Sequence, residues 1–491
     1  MLQIQTVHNK TIYTILFLVV VLNFCMHFSH FSDELIGTHV WRQAQTQSTI
    51  INFYEEDMNI FNPRANIKSA NDGIQRMEFP LMQWLTAGLY HITGNQLTVT
   101  RYFMFLIGVI AMFGLFHLLL ALFNKPILSL IGAWAFTFSP AFYYYTINPL
   151  PDNLALCCGI WGLALFFKYV HNQKTIVLIA SGLLMSLSAL CKLPFILYYI
   201  VPVIYFIQII RKQGNTFITL KTATLQLSWS LLPLVWYAIV IPQWSDNPVL
   251  AGVFDSRVSV LKLLDYLQHN VFITTPDLLL NYGSVLFFIA GFYFLVKRKS
   301  YRDFRFIPIL WLGIMVIAYY LFEIIPIGKI HDYYLFPFYP LLFILVAYGA
   351  YHIFYGSNKK LRIVSYVLLI VLPLTCFLRA DTRWNKNNPG FNRDLLTFKT
   401  ELRNAVPKNA VVVAGNDISK VIFLYYIDKK GYPFLNNLLT TNDLQGFVSA
   451  GAEYLYSDSP DIIEQQQLSP FIDSLIVTCG SVKVYKLKNP I

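Results

Sequence analysis

Apolar stretches of about 20 residues recur from one end of this chain to the other, and each is long enough to cross roughly 30 Å of hydrocarbon as a helix. They fall near Ile12–Phe31, Tyr102–Phe123, Ile127–Ile147, Leu154–Tyr169, Ile176–Leu190, Phe195–Ile210, Leu225–Ile241, Leu278–Val296, Phe306–Phe322, Tyr334–Phe354 and Ile363–Phe377. The chain is 56% hydrophobic and 16% aromatic, well above what a soluble domain carries. The pattern predicts an all-α polytopic membrane protein of about eleven transmembrane helices. Phe79–Ile92 is apolar but short, with Pro80 at its start, and reads as a juxtamembrane or partly inserted helix.

Charge then orients the spans. Lys10, Lys125, Lys168, Lys174, Arg211, Lys212, Lys221, the run Lys297–Lys299 with Arg302 and Arg305, and Lys359, Lys360 and Arg362 fall on one side under this count. That side is expected to be cytoplasmic, with the amino terminus inside. The net charge of +11 is therefore a topology signal. A nucleic-acid partner would need the basic residues clustered on one soluble domain, and they are not. No small-residue cleavage site follows the first span, so it reads as a retained anchor. The six cysteines offer neither a disulfide framework nor a zinc-finger spacing.

The expected external side carries the candidate chemistry. The loop Ser32–Glu78 holds seven carboxylates: Asp33, Glu34, Glu55, Glu56, Asp57, Asp72 and Glu78. Carboxylates beside a bilayer can move protons or hold a metal, and Arg42, Arg64, Lys68 and Arg76 can hold a phosphate. A solvated loop explains the same charges. Helical spacing places His39, Arg42, Gln43 and Thr46 on one face. Asp152 opens a span after Pro149 and Pro151, where an acid either complements the helix dipole or is used in function. Lys329 and His331 precede an aromatic run and read as phosphate ligands or as an interfacial belt. The tail beyond Arg379 changes character. A polar linker leads to strand patterns at Ala410–Ala414, Glu453–Tyr456, Ser474–Thr478 and Val482–Leu487, and to a helical pattern at Asp394–Val406. Residues 1–379, with the first external loop 32–78, thus form a transmembrane domain, and 380–491 a small extracytoplasmic α/β domain.

In that order the motifs resemble the polytopic glycosyltransferases of the GT-C fold, most closely the branch of protein O-mannosyltransferases and lipid A aminoarabinose transferases. The shared features are the acidic first loop, the Glu-x-Pro-Leu re-entry, the acid before a span, the late Lys/His-Tyr-Tyr stretch and the external tail. The resemblance implies a multi-pass protein of a bacterial inner or plasma membrane. It implies transfer of a sugar from a polyprenyl-phosphate-linked donor to a glycan, lipid or protein acceptor outside the membrane, with inversion. By position Asp33 and Glu34 are similar to the family's base or acceptor-orienting acids, and Asp152 matches its second acidic turn. Glu78 and His269 resemble metal-binding positions, so a divalent metal ion is an implied cofactor. Phe79 stands where that branch has a phosphate-binding Lys, so another cation must serve. The family's acid-to-Arg spacing is met by His39 and Arg42 and not by Asp33, so either residue fits the base position. A flippase or other lipid-linked sugar transporter would carry charges at mid-membrane and paired halves; here the spans are nearly free of charge at their centres, Lys192 and Glu323 falling near ends, and no halves resemble each other. A glycan polymerase or ligase is the alternative within enzymes.

Overall fold

The computed structural model describes residues 2–69, 71–213, 216–244, 258–435, 439–459, 462 and 468–489. Part of the expected external loop Gln243–Asp277, residues 245–257, lies outside the described residues. Among those described, seven helical segments are long and apolar enough to span a membrane: Lys10–His30, Leu97–Phe123, Pro151–Asn172, Leu193–Lys212, Phe217–Gln243, Asp332–Phe354 and Lys359–Asp381. Shorter apolar helices run over Pro126–Thr137, Thr175–Cys191, Val285–Lys297 and Phe306–Phe322.

Several expected spans are broken where proline forbids a continuous hydrogen-bond ladder. The run expected over Ile127–Ile147 splits into Pro126–Thr137 and Pro140–Tyr145, with Pro140 at the start of the second piece. The run expected from Leu278 becomes a wide helical turn, Asn270–Leu279, containing Pro276, followed by the helix Val285–Lys297. Gly291 and Gly349 bring two helices to backbone contact. A Cβ on Gly349 would lie 1.9 Å from the Phe287 carbonyl oxygen, and one on Gly291 2.0 Å from that of Leu345. Small residues at such crossings are what packing in lipid selects.

By contacts the chain forms two compact units. One comprises Met1–Ser32, Met77–Phe79 and Thr100–Asp381; the other comprises Asp33–Arg76, Pro80–Val99 and Thr382–Ile491. The loop 33–76 thus groups with the tail, which a boundary at a single chain position does not express.

The second unit is built on a five-stranded mixed sheet of β1 (Val411–Gly415), β2 (Lys430–Pro433), β3 (Tyr454–Ser457), β4 (Ile472–Cys479) and β5 (Val482–Leu487), in the order β2-β1-β3-β5-β4. β1 runs parallel to β2 and β3, and β5 antiparallel to β3 and β4. Strand alternation splits the core in two: Val412 and Ala414 face one cluster, and Val413 faces the other. Leu35, Val40 and Ala44 from the first loop join Leu402, Leu424 and Val484 in the first cluster. Ile67 of the loop bridges Gly431, extending the sheet at its β2 edge. The helix Leu81–Thr93 packs Ala87 and Tyr90 on Ile50 and Phe53 of the loop helix Val40–Glu55. β1 and β3 to β5 fall within a residue or two of the sequence patterns. β2 and the helix Thr441–Ser449 were not visible there, and the helix expected over Asp394–Val406 is interrupted at Phe398.

Candidate functional site

In the membrane unit the site is built around one ammonium group. Pro151 starts the helix Pro151–Asn172, its missing N–H costing nothing there, and Asp152 occupies the first turn, where the helix dipole favours an acid. Asp152 is 1% exposed, a position that a carboxylate tolerates only with a charged partner. That partner is Lys192. The helix Thr175–Cys191 ends at Lys192 in extended backbone, φ −159° and ψ 114°, before the 3-10 turn Leu193–Tyr199. Lys192 Nζ donates to Glu78 Oε1 at 2.9 Å and lies 3.6 Å from Asp152 Oδ1. It also sits 4.8 Å from the centre of the Tyr334 ring, a cation–π contact.

Backbone contacts carry Glu78 into place. The Phe79 N–H donates to the Leu190 carbonyl at 3.0 Å, and Trp236 Nε1 donates to the Met77 carbonyl at 3.1 Å. The Phe79 ring packs edge-on against Trp236, with centroids 5.1 Å apart and planes at 88°. Position 79, a Lys in the resembled branch, is here an aromatic anchor, and the ammonium arrives from Lys192, just past the end of the helix Thr175–Cys191. Glu323 follows the helix Phe306–Phe322. Burial pushes its carboxyl up to about 7, against the opposing pull of Lys192. Such a group titrates where a proton carrier is useful.

The other residues expected in this unit are placed differently. Lys329 pairs with Asp265 at 2.7 Å, both side chains substantially exposed. His331 Nδ1 lies 2.7 Å from the Pro326 carbonyl oxygen. His269 ends the helix Val260–His269, and the next residue, Asn270, donates to the Gly328 carbonyl at 2.7 Å, tying this segment to the turn before Lys329.

In the second unit the first-loop acids meet cations of the tail. Asp33 pairs with Lys386 at 2.7 Å, and Lys399 donates to Glu34. His39, Arg42, Gln43 and Thr46 are all buried, as their helical spacing implies for a face turned inward. His39 caps the helix Val40–Glu55 at φ 56°, and Arg42 Nη1 donates to Gln45 Oε1 at 2.7 Å.

The structure therefore joins Glu78 to Asp152 through Lys192, and joins Asp33 and Glu34 to the tail. Sequence reasoning passed over Lys192 and Glu323 as charges near span ends. The signal was a lone lysine at the seam of two apolar stretches, where an ionisable residue is costly. The implied metal does not fit the residues present. A divalent ion on Glu78 would meet the Lys192 ammonium, and among the described residues no three His, Cys, Asp or Glu gather into a ligand set.

The family of dolichyl-phosphate-mannose-protein mannosyltransferases matches residues 78–241, a segment that contains Glu78, Asp152 and Lys192. No curated protein matches the chain by sequence. Among solved structures, ArnT from Cupriavidus metallidurans in the apo state is 13% identical with a TM-score of 0.65, over 97% of this chain and 98% of that one. The same protein bound to undecaprenyl phosphate is 12% identical with a TM-score of 0.63, over 98% of both chains. The oligosaccharyltransferase of Archaeoglobus fulgidus, in complex with Zn and sulfate, is 12% identical with a TM-score of 0.60, over 94% of this chain and 71% of that one. The fold is thus shared with these membrane glycosyltransferase structures, and residues 78–241 resemble the mannosyltransferase family.

Proposed function

We propose that this protein moves a sugar from a polyprenyl-phosphate-linked donor to an acceptor hydroxyl or amine on the extracytoplasmic side, with inversion. The observation that carries the reading is the Lys192 cluster inside the matched segment. As the glycosidic bond breaks, the lipid phosphate takes on charge, and a fixed ammonium stabilises it. Glu78 and Asp152 hold that ammonium in place before the donor arrives, which spares reorganisation in the transition state. Lys329 and His331 add point charges to the phosphate site in this proposal, and Arg42 offers a planar fork of the kind that holds phosphate oxygens. A general base removes the acceptor proton, worth about 10²- to 10⁴-fold. Asp33, with Glu34 beside it, serves as that base; His39 is the other residue whose spacing to Arg42 suits the role. The cell membrane in this proposal is a bacterial inner or plasma membrane, with the tail unit outside. No metal enters the scheme.

The test is a lysine relocation. Lys192→Met should lower transfer from a polyprenyl-phosphate-sugar at least tenfold to a hundredfold, the loss of a charge-assisted contact of about 1.5–3 kcal/mol. Phe79→Lys in that background should recover much of it, because residue 79 is bonded to the chain two residues before Lys192. A well-folded Lys192→Met protein with the parental rate would remove Lys192 from the donor site.

A further inference from the structure

The second unit contains a cavity of about 190 Å³, walled on one side by the first loop and on the other by the tail. We infer that it is a binding site for a single sugar ring bearing an acid group, a hexuronate or a sugar phosphate. The inference rests on the proposed transfer reaction only in regarding that ring as part of the acceptor.

Charge accounting leads there. Two ion pairs join the walls: Lys408 to Glu55 at 3.0 Å, and Lys430 to Glu56. Their presence explains four of the seven charged side chains lining the cavity. The remaining three are Lys68, Lys429 and Asp428, so the lining carries one more cation than anion. Lys429 is buried, and its ammonium donates to the Arg403 carbonyl at 2.9 Å, a neutral acceptor. Burial holds its pKa below the ordinary lysine value despite the nearby Asp428. An anion entering the cavity supplies the counter-charge that this arrangement lacks.

Hydrogen-bonding capacity and size narrow the class. Carboxylates accept, ammonium groups donate, and Asn66 offers both, a lining suited to hydroxyl groups, which also do both. Asn66 is itself fixed, with Asn52 Nδ2 donating to its Oδ1 at 3.1 Å and its carbonyl accepting from the Gly431 N–H at 3.0 Å. The volume lies below the roughly 300 Å³ at which pockets for drug-sized ligands begin, which suits one ring and excludes a longer glycan held whole.

The experiment is equilibrium binding to the full-length protein in detergent, with no donor present, so its outcome is separate from that of the transfer reaction. Glucuronate and glucose 6-phosphate should each bind saturably, at least tenfold more tightly than glucose. Lys68→Glu, at a part-exposed position, should weaken both at least tenfold, and Lys420→Glu, the same charge change at an exposed site of this unit, should not. Failure of both acids to saturate, or full affinity in Lys68→Glu, overturns the site. Inorganic phosphate binding as tightly as either sugar acid overturns its assignment to a saccharide.

Discussion

Ion pairs in the two units differ in what surrounds them. Lys192 and Glu78, in the membrane unit, leave 11% and 13% of their side chains exposed, whereas Lys408 and Glu55, in the loop-and-tail unit, leave 64% and 31%. Removing one partner of a buried pair strands a charge in a poor solvent and costs about 3–5 kcal/mol; removing one at the surface costs roughly 0–1 kcal/mol. In the membrane unit the buried Lys192–Glu78 pair thus outweighs the exposed pair of Lys329 with Asp265. The second unit spreads many weak pairs over a fold whose cohesion comes from apolar packing. Similar residues, spaced unremarkably in sequence, carry different weight because of their solvent.

The sharpest way to break this contrast is Asp152→Asn, which keeps volume and removes charge. Transfer should fall on the order of a hundredfold or more, because Lys192 then swings toward Glu78 alone; a parental rate would make the cluster structural only. Next in size is Leu424→Ala in the shared core, expected to destabilise the second unit by about 2–5 kcal/mol. Limited proteolysis should then cut the first loop and the tail together. Cleavage confined to the tail would show that the two do not share one cooperative core. Lys329→Ala should change thermal stability by no more than about 1 kcal/mol, since its pair with Asp265 is exposed, while raising the donor KM up to about tenfold if the ammonium grips phosphate. An unchanged KM restricts Lys329 to its surface pair.

The smallest effect is a pH step. Glu323 is neutral below about pH 7 and ionised above it, so at higher pH it competes with donor phosphate for Lys192. The donor KM should therefore rise as pH climbs through about 7, and the step should vanish in Glu323→Gln. The same raised pKa means that stability from proton retention is full below about 4.5 and is lost as pH rises through about 7. A KM profile in Glu323→Gln that keeps the step assigns it to another group.

The spans were legible because a membrane accepts one solution for an apolar run of that length, and the strands of the tail because alternation and turn residues mark them locally. Glu78 and Asp152 were legible as acids at the mouths of spans. Lys192 was not, because its importance comes from meeting residues 114 and 40 positions away. Nor was the union of loop and tail, in which Leu35 and Val40 find apolar partners beyond position 395. Local pattern reports what a residue needs and is silent about which distant segment supplies it.

The discontinuous second unit also bears on when the protein becomes competent. Chains emerge amino terminus first, and domains made of contiguous sequence fold as they appear. Here Asp33 and Glu34 wait for Lys386 and Lys399, the latter pair separated by 365 residues. A nascent chain therefore inserts its spans before Lys386 and Lys399 have been made. Completion of the carboxy-terminal segment is what closes the unit, so a truncated product would carry the membrane spans without the finished first loop.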